Sequence, residues 1–168
     1  ERAISLYAAE GNRLAADWAA AKLALMELGH GDVKRAKELL ASIQAGTKRF
    51  ANLDHHLLAR RLSAEIELQS GRPKRAVKIL AEIADTANRG SRPQYLAYAQ
   101  NAIGEAALAD GRTEKAVEYF ADAVGSIEAM RTKLPGEAFR IAFFADTTRP
   151  FANLVSAHIA LGELESAF

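Results

Sequence analysis

The sequence predicts an all-α fold of stacked antiparallel helix pairs, and three observations carry that expectation. First, a glycine followed five residues later by an alanine recurs as "GDVKRA" (Gly31 to Ala36), "GRPKRA" (Gly71 to Ala76), "GRTEKA" (Gly111 to Ala116) and "GELESA" (Gly162 to Ala167). The glycines are spaced by 40, 40 and 51 residues, the self-similarity expected of a repeat architecture. Second, the same apolar offsets return behind the alanines: Ile79, Leu80, Ile83, Ala84 and Ala87 after Ala76, and Tyr119, Phe120, Ala123, Val124 and Ile127 after Ala116. Leu39, Leu40 and Ile43 follow Ala36 in the same register, so each segment is one apolar stripe on a helix. Third, another helix precedes each glycine, with Leu28, Leu68, Leu108 and Ile159 three residues ahead of it and Ala24, Ala64, Gly104 and Val155 seven ahead. The mostly small residues of that second column allow close helix contact.

In chain order, "ERAISLY" places Ala3 33 residues before Ala36, so residues 1–12 read as part of a second helix. Full pairs follow over 13–50, 53–90 and 92–134, and a partial one over 150–168. Within each pair the glycine supplies a left-handed turn that other residues adopt at a cost. Asp32 and Thr113 are expected N-caps, and Pro73 suits a first helical turn. The cations of "GRPKRA" vary between copies while glycine and alanine persist, so they read as the solvated face of a helix start. In the 51-residue interval Pro135-Gly136 breaks the preceding helix, Glu137 to Asp146 is expected as a short amphipathic helix, and Thr147, Thr148 and Pro150 restart the chain, with 135–149 forming the insertion.

Composition narrows the function classes. Half of the chain is hydrophobic (49%) yet only 7% is aromatic, which favours alanine-rich stacked helices over a sheet core. A net charge of +1 provides no global field for nucleic acid or an anionic membrane. The absence of cysteine removes disulfides, thiol catalysis and cysteine-based zinc sites. No apolar run approaches the roughly 18–20 residues of a membrane span, and no signal peptide opens the sequence. The expected location is cytoplasmic, with no membrane partner.

The repeat pattern resembles the tetratricopeptide repeat (TPR), with its paired antiparallel helices, small first-helix residue, turn glycine and alanine five positions on. The resemblance covers nearly the whole chain and implies a right-handed solenoid that binds peptides along its first helices. The family's period is about 34 residues, so intervals of 40 imply longer helices or longer inter-repeat loops. Its tryptophan-leucine-glycine-tyrosine signature is degenerate here, as Ala20, Leu23, Ala24 and Glu27. A second resemblance rests on Glu128, Arg131, Leu134, Pro135, Glu137, Arg140, Phe143, Ala145 and Phe151, with Ala167-Phe168 after them. This segment is similar to the final repeats preceding a CHAT (caspase-like) domain, though Pro150 departs from that pattern. It implies a regulatory sensor arm of a larger bacterial signalling protein, in contact with a downstream domain. The histidine–cysteine dyad of that family cannot lie within this cysteine-free chain. Related arrays also precede other signalling modules, including bacterial transcription regulators. A fragment cut through repeats is further expected to self-associate through its cut ends.

No constellation reads as catalytic, cofactor-binding or metal-binding, so no enzyme activity is expected. The adjacent His55 and His56 lie about 100° apart on a helix, and their i+4 positions hold Ala59 and Arg60. With His30 and His158 they are read as surface or capping side chains, because metal needs converging ligands. "EGNR", "LPGE" and "SGRP" carry single glycines and no phosphate-cradling loop. The TPR resemblance instead transfers groove columns by position from each turn glycine. Trp18, Leu58, Tyr98 and Arg149 form the outermost column. Ala21, Arg61, Asn101 and Ala152 come next, adjoined by Leu25, Glu65, Glu105 and Ser156, with Asn153 beside them. One subclass clamps a C-terminal carboxylate at these columns, and Glu65 and Glu105 disfavour that ligand here. Arg61, Asn101 and the faces of Trp18 and Tyr98 suit an extended peptide or a helix; the alternative makes both aromatics packing residues. A protein or peptide is therefore the expected partner of this interaction scaffold. Nucleic acid is the lesser alternative: Lys48, Arg49, Arg89, Arg92, Arg131 and Lys133 would line one edge, against the near-zero net charge and the irregular 40-residue spacing.

Overall fold

A computed structural model describes residues 1–47, 52–133 and 147–163. Among these residues the chain is all-α, with no strand. Its helices are α1 (Arg2–Ala9), α2 (Arg13–Gly29), α3 (Val33–Thr47), α4 (Leu53–Gln69), α5 (Pro73–Arg89), α6 (Pro93–Ala109), α7 (Thr113–Arg131) and α8 (Arg149–Leu161). The helix expected over Glu137 to Asp146 lies outside the described residues, as do Lys48, Arg49 and Ala167. The final helix begins at Arg149, with Pro150 in its first turn.

The long period is explained by helix length. The helices α4, α5 and α6 each have 17 residues and are joined by turns of three, which fills 40 residues without an inserted loop. The turns share one geometry. After α2, Gly31 (φ 84°) donates its N–H to the Leu28 carbonyl at 3.0 Å and Asp32 donates to Glu27 at 2.8 Å. This paired closure satisfies two of the carbonyls that a helix end leaves open. Gly71, Gly111 and Gly162 close their helices in the same way, with φ of 69°, 73° and 77°. Ser91 does so after α5 at φ 52°, with Arg92 N–H donating to Ala87 at 2.8 Å; it is the one described non-glycine residue with positive φ.

Helix starts follow the sequence in part. Asp32 accepts the Arg35 N–H at 2.8 Å, as an N-cap should. Thr113 is not a cap: Arg112 occupies that position with no capping side chain, and Thr113 is the first residue of α7. Asn12 and Asn52 cap α2 and α4. The cation that opens "GRPKRA" has a structural partner, since the Arg72 guanidinium forks onto the Glu67 carboxylate at 2.5 and 3.0 Å across the turn. Pro73 is the first residue of α5, where its missing N–H is harmless.

The helices form two compact units, residues 1–79 and 80–168, divided within α5. In the first, α1 packs on α2, and α2, α3 and α4 pack on one another. Their core joins Ala20, Ala24 and Leu28 of α2 with Ala36, Leu39 and Ile43 of α3 and Leu58 and Leu62 of α4. In the second, α7 packs on α6 and α8 around Ala107, Ala116, Phe120 and Ala157.

Phe120 is fully buried, and its ring lies directly over Gly104, where an added Cβ would come within 2.6 Å of Cε1. Gly104→Ala is therefore expected to destabilise the protein by about 1–3 kcal/mol through overpacking, beyond the roughly 1 kcal/mol that alanine gains in a helix. Urea unfolding checks this, and Phe120→Leu in the same background should recover part of the loss. Ser91→Gly is expected to stabilise by roughly 1 kcal/mol, because glycine adopts the left-handed conformation without the Cβ penalty. A lowered or unchanged urea midpoint for Ser91→Gly would contradict that account.

Candidate functional site

In the first unit α2 and α4 lie side by side. Trp18, Ala21, Lys22 and Leu25 recur at helical spacing along one row, and Leu58, Arg61 and Leu62 face them from the other helix. Between the rows is a shallow pocket of about 30 Å³. Leu58 is buried at 4% exposure and forms part of the floor, whereas Trp18 stays 39% exposed as a wall. Trp18, Leu58 and Arg61 line this one pocket, together with Lys22 and Leu62, which the transferred columns did not include. Glu65 lies half-buried one helical turn beyond Arg61.

In the second unit Asn101, Glu105, Arg149 and Asn153 form one hydrogen-bonded network between α6 and α8. Arg149 grips the Glu105 carboxylate in a fork, Nε to Oε1 at 2.8 Å and a terminal nitrogen to Oε2 at 3.0 Å. The Asn101 amide donates to Glu105 Oε1 at 2.9 Å. The Asn153 amide donates to the same oxygen at 2.8 Å and to Asn101 Oδ1 at 2.9 Å. Asn101 is buried, while the Arg149 side chain is exposed, so the network runs from the helix interface to solvent. Tyr98 is half-buried on α6, three residues before Asn101.

One cluster is absent from the sequence expectation and overturns part of it. His55 is neither a surface nor a capping residue: it is buried on α4, with Nε2 3.3 Å from Oδ2 of the buried Asp17 on α2. Arg13 pairs with the other carboxylate oxygen at 3.0 Å. Burial raises the Asp17 carboxyl above its usual range, opposed by the charge and hydrogen bond of Arg13 and by the charge of His55. The signal was available, because His55 shares a helical row with Leu58, Leu62 and Ile66. His56 is exposed, His30 caps α2, and His158 Nδ1 lies 2.8 Å from Glu163. Among the described residues no three histidine, cysteine, aspartate or glutamate side chains gather as a metal site. Nor is any described helix long and apolar enough to cross a membrane. Of the supposed basic edge, Arg89 pairs with Asp85 at 2.5 Å, Arg131 with Glu128 at 2.6 Å, and Arg92 donates to the Gly90 carbonyl at 2.9 Å.

No family model matches the chain, and no curated protein matches it. Two solved structures do. One is the nearly identical TPR-like repeats of a protein from Podosopora anserina described as a putative kinesin light chain, 22% identical, with a TM-score of 0.60 over 89% of this chain and 68% of its own. The other is BtubC (BKLC) from P. vanneervenii, 14% identical, with a TM-score of 0.65 over 99% of this chain and 83% of its own. The likeness is one of fold: this chain has a TPR-like helical-repeat fold.

Because burial favours the protonated acid, the folded state holds the Asp17 proton more tightly than the unfolded chain does. Its contribution to stability is full below about pH 4 and declines as pH rises through the raised folded-state value. Asp17→Asn is expected to flatten the stability–pH profile over that interval. Urea unfolding at a series of pH values from about 3.5 upward tests it, and parallel curves for the two proteins would contradict it.

Proposed function

We propose that this chain is a non-enzymatic protein-interaction scaffold that holds a peptide or protein segment along its first helices. The proposed repeat units are 13–50, 53–90 and 92–134. The proposed contacts are Trp18, Leu58, Arg61 and Glu65 in one unit and Tyr98, Asn101, Glu105, Arg149 and Asn153 in the other. One observation carries the reading: a tryptophan left 39% exposed as the wall of a pocket floored by buried leucine. Large aromatic rings beside arginine are the side chains that dominate binding energy at interfaces, and the TPR-like fold supports the same reading. The nucleic-acid alternative is weaker, since Arg89 and Arg131 are paired with carboxylates of their own helices. Control of an attached signalling or CHAT-type protease domain is the regulatory form of this proposal. It rests on the sequence resemblance over residues 128–151, most of which lie outside the described residues.

Selection from a displayed random-peptide library against the whole chain tests the scaffold reading. Enriched peptides are expected to bind, and Trp18→Ala or the Arg61→Ala/Asn101→Ala double variant should weaken them by about tenfold or more with the helical circular dichroism unchanged. A selection that enriches nothing, or peptides indifferent to both variants, would sink the proposal.

A further inference from the structure

Charge is divided unevenly along the chain. Residues 1–79 carry 14 lysines and arginines against nine aspartates and glutamates, a net +5, whereas residues 80–168 carry eight against 12, a net −4. The overall charge of +1 therefore conceals two compact units of opposite sign. In the first unit Lys74, Arg75 and Lys78 at the start of α5 are exposed, as is Lys37 on α3. Glu67 lies among these cations: its fork with Arg72, and then the charges of Arg75 and Lys37, hold its carboxyl below the usual range. Arg72 already occupies that carboxylate, and among the described residues Lys74 and Lys78 make no ion pair. In the second unit Glu114, Glu118 and Asp122 are exposed along α7. Glu118 pairs with Lys115 at 2.6 Å, while Glu114 and Asp122 make no ion pair among the described residues.

The two sets match in spacing. Lys74 and Lys78 lie three and seven residues after the turn glycine Gly71, and Glu114 and Glu118 lie at the same offsets from Gly111. They occupy the same face of equivalent helices, each pair with like charges one turn, about 6 Å, apart. Like charges at that spacing repel within a helix, and an antiparallel helix bearing the opposite pair relieves both. We propose that the α5 face bearing Lys74 and Lys78 binds the α7 face bearing Glu114 and Glu118 on a second copy of this chain. Lys74 then lies opposite Glu118, and Lys78 opposite Glu114. A second copy fits better than a foreign polyanion, because it matches the spacing of the cations and neutralises the acidic unit as well. Exposed ion pairs contribute at most about 1 kcal/mol each, so the association is weak, reversible and screened by salt. It involves neither α2 nor α4, and its failure would leave the groove reading untouched.

Sedimentation velocity of the whole chain tests the contact. At low salt the weight-average mass is expected to rise with concentration above the 18.1 kDa of one copy, and to return to it in about 0.5 M salt. Lys74→Glu/Lys78→Glu and Glu114→Lys/Glu118→Lys should each stay monomeric at low salt, with unchanged helical circular dichroism because every reversed residue is exposed. Their equimolar mixture should associate again, since one variant is acidic on both faces and the other basic on both. A wild-type chain that stays monomeric at low salt overturns the inference. Association that persists in both variants, or that strengthens with sulfate as an apolar contact does, overturns it equally. Polyglutamate, titrated into the same samples, identifies the other occupant: if it binds a monomeric wild type and not Lys74→Glu/Lys78→Glu, the basic face takes a foreign acidic partner instead.

Discussion

Two helices can approach closely only where one of them withholds its side chain, and this structure depends on that contact. Gly104 is the extreme case: it accepts the Phe120 ring at a distance that no Cβ would allow. Ala24 meets the requirement in the first unit, fully buried in the same core as Ala36 on the returning helix. Such a core contains little side chain per residue. Its alanines carry no rotamer entropy to lose, and the large buried groups, such as Phe120, Ile43 and Leu62, pack among them. The turn glycines serve the same contact. After α2, α4 and α6 they close the helix and return the chain within three residues, so that small column and apolar stripe meet in register.

Polar groups between these helices are handled in two ways. Glu105 is surrounded by donors, two asparagine amides and an arginine fork, so its charge is matched where it is half-buried. Asp17 is more deeply buried, and its two oxygens approach Arg13 and His55. The low local dielectric strengthens the first arrangement and makes the second depend on protonation. Glu105 therefore acts as a fixed brace between α6 and α8. Asp17 lies between Arg13 of its own helix and His55 of α4, and so ties α2 to α4.

The sequence could disclose what is local or periodic. A glycine at fixed spacing reports a positive φ, and offsets of three, four and seven report a helical face, so the turns and stripes were legible without tertiary information. The cap at Asp32 was legible for the same reason. Thr113 misled because the chain leaves the left-handed turn one residue earlier, placing Arg112 at the cap. His55 was judged by its neighbours on its own helix, whereas the partner that explains it comes from α2. Lys22 and Leu62 escaped because columns transferred from a family name positions, not the side chains beside them. Spacing alone could not decide whether 40 residues meant longer helices or longer loops; α4, α5 and α6 answer with 17-residue helices.

The same economy leaves part of the surface of this fold free to vary. Helix α5 is apolar along one stripe, with Ala76, Leu80, Ile83 and Ala87 buried and charged residues elsewhere. In α2 and α4 apolar residues occupy more of the circumference, as a helix covered on more than one side requires. Many positions on these helices are thus held by packing, whereas Trp18 and Lys22 on α2 stay exposed beside the pocket. The fold asks for a turn glycine, a small crossing residue and an apolar stripe, and it persists between chains that share only 14% or 22% of their residues. Change at such exposed positions costs the fold little, yet it alters the lining of the pocket. The lining can therefore diverge faster than the architecture that supports it.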